Sequence, residues 1–261
     1  MARGRPPLPP APDPMSVQAL RARSVSELVD ATFSLYRRDA SAYIMVTAIA
    51  SIPGLVGQLL LQGGGASATA AFAGVISLVV SMITYALMTG VILRMGSDVY
   101  LGGEADVAGA VRAVMPRVGT LIAIAIGKSI LYGLGAIVFL VGFLYAFARW
   151  FAPEAVAILE QKDFGESFAR CSQLSAGRKR HIFKALFLGY AIYFLLMVGV
   201  IAVAAAFGSE TLSLFVQSLF MVVAYPIVGL LTMLLYYDTR IRGEGFDVEH
   251  LSRSLAAQPA R

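Results

Sequence analysis

The sequence predicts an all-α integral membrane protein, with six transmembrane helices arranged as three hairpins and a cytoplasmic amphipathic surface helix before each hairpin. Three observations predict it. Apolar runs recur at the length that crosses a bilayer core, about 20 residues for about 30 Å of hydrocarbon. Hydrophobic residues make up 58% of the 261 and charged ones only 14%, with a mean hydropathy of +0.74. A water-soluble domain of that length needs more charged surface, so the apolar excess must meet lipid. Finally, when six spans are drawn, the Lys and Arg residues between them collect on one side, as cytoplasmic loops do.

The elements follow in chain order. Residues 1–14 are Pro-rich and Arg-flanked with no apolar core, which reads as a disordered cytoplasmic arm over residues 1–20 rather than a cleaved signal peptide. Met15 is an alternative start. The first span covers residues 43–61 and contains Pro53-Gly54, a kink that a neighbouring helix accommodates. Gly63-Gly64-Gly65 carries no charge and reads as a tight turn on the far side. The second span covers residues 71–93 and ends at Arg94, Asp98 and Tyr100.

Residues 118–159 are too many for one helix and contain no obvious polar turn. A single span there would export Arg178-Lys179-Arg180-His181 and Lys184, against the positive-inside tendency. Two helices joined near Leu140-Val141-Gly142 return that cluster to the cytoplasm. Gly127, Gly133, Gly135 and Gly142 allow these helices to pack closely. The fifth span covers residues 183–207, and the sixth covers 212–237 with Pro226 as a second kink. Tyr236 and Tyr237 suit an interfacial aromatic belt. The membrane domain thus occupies residues 21–247, with a flexible cytoplasmic tail over 248–261.

Residues 27–38, 106–117 and 166–178 each open with an acid and close with a base, complementing a helix macrodipole. In the first, Leu28, Thr32, Leu35 and Tyr36 share one face. Each segment precedes a hairpin, which suggests three independent membrane-surface helices or a pseudo-threefold unit of one such helix plus one hairpin.

Few residues suggest chemistry. A pI near 9.4 fits anionic lipid headgroups better than nucleic acid, because the basic cluster lies at the mouth of a span. Cys171 is the only cysteine, so an internal disulfide is excluded, and neither His181 nor His250 has a partner at ligand spacing. No phosphate loop, dinucleotide fingerprint or catalytic triad order occurs, and no metal or cofactor is expected. Lys128 and Arg149 fall inside the third and fourth spans, where charge is costly. Together they make a binding site for an anion, or else Lys128 snorkels while Arg149 pairs with Glu154 about one turn away. Glu160 is placed to bond Arg170 in the following surface helix. Glu27, Glu160, Arg170, Asp238, Arg240 and Arg242 read as structural anchors. Lys128, Arg149, Arg178, Lys179 and Arg180 read as contacts for an anion or a lipid headgroup.

The stretch Leu234-Leu235-Tyr236-Tyr237-Asp238-Thr239-Arg240-Ile241-Arg242-Gly243-Glu244-Gly245-Phe246-Asp247 resembles the closing signature of the glycerophosphoryl diester phosphodiesterase membrane-domain family of bacterial multi-pass proteins. Two more stretches are similar: Arg23-Ser24-Val25-Ser26-Glu27-Leu28-Val29-Asp30-Ala31-Thr32-Phe33, and Leu159-Glu160 with Phe168-Ala169-Arg170-Cys171-Ser172-Gln173-Leu174 and Gly177. Cys171 stands where the family has Ser, Gly243 where it has Lys, and a Pro-Gly break is missing around Gly142. The resemblance implies a membrane domain in which Asp238, Arg240 and Arg242 pair with surface helices. Some relatives carry a fused phosphodiesterase barrel, for which this chain has no room, so the enzymatic activity is not implied. The expectation is a non-enzymatic scaffold or accessory protein that engages lipids or another membrane protein. The alternative is a carrier or channel for a small anionic solute that uses Lys128 and Arg149.

Overall fold

A computed structural model describes residues 20–64, 68–137 and 139–248, and every regular element among them is helical. The helices are α1 (Val25–Arg38), α2 (Ala40–Gly64), α3 (Ala68–Tyr100), α4 (Val107–Val114), α5 (Val118–Ile137), α6 (Phe139–Arg149), α7 (Pro153–Leu159), α8 (Phe164–Ser175), α9 (Lys179–Ala206) and α10 (Glu210–Glu244). A 3₁₀ turn, Met115–Arg117, joins α4 to α5. Six stretches of the described residues are long and apolar enough to cross a membrane: Ala40–Leu61, Ala71–Tyr100, Val107–Ile137, Val141–Leu159, Lys179–Ala206 and Thr211–Glu244. Each predicted span falls on one of them. Almost all of the predicted arm and tail, with Met15 and His250, lies outside the described residues.

The chain's own side chains start and stop these helices. Ser24 and Glu27 form a reciprocal capping box that opens α1. Asp106 caps α4 through the Gly109 amide, and Ser209 caps α10 through the Leu212 amide. Gly245 ends α10 with a φ of +65°, a left-handed conformation that a residue with a Cβ adopts only at a cost.

Consecutive long helices pack as α2–α3, α5–α6 and α9–α10, and α10 also packs on α1, α2 and α3. The short helices α1, α4 and α8 precede the three pairs in the chain. Gly135 and Gly142 close the α5–α6 pair: a Cβ on Gly135 would lie 2.9 Å from the Gly142 carbonyl oxygen. Neither proline ends its helix. Pro226 has no N–H for the carbonyl of Val222, one turn back, and Thr47 Oγ1 on α2 donates to that carbonyl at 2.6 Å. The proline and the threonine thus build one interhelical contact.

Several boundaries differ from the sequence reading: Gly63 and Gly64 continue α2 instead of turning, and Leu140-Val141-Gly142 lie inside α6 rather than between helices. α3 does not stop at Leu93: it runs to Tyr100 because Arg94 and Asp98, one turn apart, pair at 3.0 Å inside the helix. α10 continues past Tyr237 to Glu244, since Asp238 and Glu244 find partners before α1 and on α8 and α9. The fourth span is broken. α6 ends at Arg149 and α7 begins at Pro153, with the preceding Ala152 held in a non-helical conformation (φ −144°, ψ 44°).

Burial is concentrated toward one end of the bundle. Leu230, Leu231 and the run from Met233 to Thr239 in α10 are buried, as are Val91, Ile92, Leu93 and Met95 in α3 and most of α7. The opposite end exposes large apolar side chains, including Phe72, Leu78, Ile137, Val141, Leu195 and Leu219.

Candidate functional site

Three polar assemblies hold the charged residues that the sequence singled out. The first centres on Asp238, a buried carboxylate in α10. Its Oδ1 accepts the Arg23 backbone amide at 2.7 Å, and its Oδ2 accepts Arg242 Nε at 2.7 Å. His181 Nε2 lies 2.9 Å from the same Oδ2 and must be the donor, because an ionised carboxylate only accepts. Arg242 also donates to the Arg23 carbonyl. One carboxylate therefore ties the chain just before α1 to α9 and α10. Sequence separation hid the histidine's partner, 57 positions away.

The second assembly is a closed ring. Glu160, at the end of α7, accepts Arg170 Nε at 2.8 Å and the Tyr236 hydroxyl at 2.9 Å. Arg170 on α8 also bonds Glu244, which accepts Arg240 Nε at 3.2 Å, and Arg240 returns to the Tyr236 hydroxyl at 3.3 Å. Two cations and two anions alternate around it, so the ring is neutral. The hydrogen bond to Glu244, with help from Glu160, holds the Arg170 guanidinium above its already high ordinary pKa. Arg240 stacks on Phe246, 4.3 Å from the ring centroid. Gly243 packs against the Arg178 guanidinium, which donates to the Arg242 carbonyl. A side chain there would crowd Arg178.

Cys171 is sealed between the Ala152 amide and the Arg149 carbonyl, and burial pushes its thiol up to about 12. It is a packing residue with no thiolate at neutral pH. Glu27 stands partly exposed at the start of α1. The Ser24 amide first, and Arg21 second, hold its carboxyl down at about 2.

The third assembly is internal. Lys128 Nζ on α5 donates to both Glu154 oxygens, at 2.9 and 3.1 Å. This pair forms part of the wall of a cavity of about 250 Å³ among α3, α5, α7, α9 and α10. Tyr85, Tyr190 and Tyr225 also line it, with Thr89 and Thr232. Tyr225 shares a 3.0 Å hydrogen bond with Thr89 and meets Tyr85 edge to face. Tyr132 donates to the Trp150 carbonyl at 3.0 Å, bracing the break that turns Glu154 toward Lys128. Pro153 was the sequence signal for that break. The three tyrosines lie on separate helices and had none.

The expected pairing of Arg149 with Glu154 is not formed, because the break at Trp150 puts the two on different helices and Lys128 takes the carboxylate. Arg149 does not line the cavity either. It donates to the Tyr145 hydroxyl at 2.9 Å and lies over Trp150, 5.2 Å from the ring centroid. Lys179, the first residue of α9, approaches the same Tyr145 ring at 5.0 Å. Lys128 and Arg149 therefore do not assemble a two-cation anion site.

Among the described residues, Arg149, Arg178, Lys179, Arg180 and Lys184 have no acidic partner within 4.0 Å, unlike Lys128 and Arg170. No group of His, Cys, Asp and Glu among the described residues is arranged to hold a metal ion. No family model matches the chain, and neither does any curated protein or solved structure.

Proposed function

We propose that this chain is a non-enzymatic multi-pass protein of a bacterial cell membrane, with both termini cytoplasmic, that binds anionic lipid headgroups and serves as a scaffold or accessory to another membrane protein. The observation that carries it is the convergence of Arg149 and Lys179 on Tyr145 and Trp150 with no acid among the described residues to neutralise them. The Asp238 and Glu160 assemblies, by contrast, satisfy their cations internally. Cations left open beside an aromatic belt suit a phosphate-bearing headgroup, each contributing about 1 kcal/mol near an anionic surface. The resemblance to the glycerophosphoryl diester phosphodiesterase membrane-domain family supports the same placement, with α1, α4 and α8 lying on the cytoplasmic face. On α1, Leu28, Thr32 and Tyr36 turn inward, which suits a helix lying flat against a bundle.

The test is lipid retention. The purified protein, equilibrated in nanodiscs containing phosphatidylcholine and phosphatidylglycerol, is assayed by native mass spectrometry. Replacing both Arg149 and Lys179 by Gln is expected to reduce bound phosphatidylglycerol by roughly 10-fold or more without changing phosphatidylcholine. Unchanged retention would refute the headgroup reading. Orientation is checked separately by impermeant thiol labelling of a Lys179→Cys variant in intact cells. Protection until the cells are opened is expected, and labelling of intact cells would overturn the assigned topology.

A further inference from the structure

We propose that the cavity walled by Lys128, Glu154 and three tyrosines binds a small zwitterion, whose anionic group meets Lys128 and whose ammonium meets Glu154 and the tyrosine rings. The first ground is that the ion pair is not packed over. Its two side chains keep 21% and 15% of their exposure while lining the cavity wall. Burying a pair costs more desolvation than an apolar pair of the same shape would, so architecture alone gives no reason to choose these residues.

The second ground is selection by charge. Lys128 and Glu154 cancel, so the cavity carries no net charge from its walls. A single anion or cation entering it would bring an uncompensated charge into a low-dielectric interior, while a zwitterion brings none. Each of its ends also finds an opposite charge already in place. The ammonium end gains more, because Tyr85, Tyr190 and Tyr225 present aromatic rings at the wall, the surface that quaternary ammonium groups favour.

The third ground is size. A cavity of about 250 Å³ holds about eight waters at about 30 Å³ each, room for a solute of roughly eight non-hydrogen atoms. Glycine betaine has that size and both charges.

The experiment is equilibrium binding of radiolabelled glycine betaine to the protein in nanodiscs, with glycine and phosphoethanolamine as competing zwitterions. Saturable binding is expected, unaffected by equal concentrations of acetate or tetramethylammonium. Trp150, the only tryptophan, stands beside α7 and gives an independent fluorescence signal on binding. Replacing Lys128 by Met and Glu154 by Gln together removes both charges without orphaning either. That double variant is expected to elute and melt as a folded protein while binding roughly 10-fold or more weakly. A folded double variant that binds as tightly as the parent would overturn the proposal. So would equal binding of acetate or tetramethylammonium, or no saturable binding of any of the three zwitterions. Should the double variant not fold, Tyr190→Leu and Tyr225→Leu, which leave the ion pair in place, carry the same expectation and the same refutation.

Discussion

The two ends of the bundle solve different problems with different residues. At one end α10 is buried along Leu230–Thr239, and its neighbours supply a partner for nearly every charge: Arg23, His181 and Arg242 on Asp238, and Arg170 and Tyr236 on Glu160. At the other, side chains such as Ile137 (81% exposed) and Leu195 (73%) face outward and touch little protein. Directional bonds fix positions at the charged end. At the apolar end lipid is as good a neighbour as another leucine, so composition matters there and exact partners do not.

The sharpest way to break this comparison is to remove the hub of the charged end. Asp238→Ala leaves three donors, the Arg23 amide, the His181 ring and the partly exposed Arg242 guanidinium, without their shared acceptor, with an expected cost of about 3–5 kcal/mol in unfolding free energy measured in mixed micelles. A loss below about 1 kcal/mol would show that the network is decorative.

Next is a charge placed in the apolar half. Leu195→Arg is expected to cost about 2.5–3.5 kcal/mol of insertion free energy, read as the inserted fraction of α9 in a glycosylation-mapping assay. An unchanged inserted fraction would mean that residue 195 does not meet lipid.

Thr47→Val tests the contact that spans the two regions. It is expected to cost about 1–2 kcal/mol, because the Val222 carbonyl loses the hydroxyl that stands in for the amide Pro226 lacks. In the Pro226→Ala background the same change is expected to cost less, and equal costs would uncouple the two residues.

Leu195→Ala is a small perturbation, expected below about 0.5 kcal/mol in the same micelles, since lipid replaces the lost contacts. The smallest effect concerns Glu27. Its folded pKa lies below its ordinary value, so its contribution to α1 is complete above about pH 4.5 and is lost as pH falls toward about 2. Amide exchange of α1, corrected for intrinsic rate, is expected to rise in that window, and a Glu27→Gln variant is expected to show no such rise.

Much of the fold was legible because lipid imposes a simple rule on composition. A run of about 20 apolar residues has few alternatives to a helix, and Ser209 marks by its cap where the last long helix begins. The candidate sites were less legible. Glu154 lies five positions from Arg149, close enough to suggest a pair on one helix, but Pro153 breaks the helix between them. The partners that Asp238 and Glu244 find outside α10 were hidden by distance along the chain: His181 is 57 and Arg23 215 positions from Asp238, and Arg170 is 74 from Glu244. The tyrosines of the cavity belong to three helices, and a tyrosine in an apolar run has no pattern that distinguishes wall from core.

By itself, the sequence determined where the six membrane-length apolar stretches fall, because desolvation of backbone and side chains depends on local composition. Only the tertiary structure decided that Lys128 takes Glu154, that His181 and Arg242 share Asp238, and that Thr47 serves the carbonyl Pro226 leaves open. Pairing depends on distances and angles between helices, and those are set by packing rather than by hydropathy.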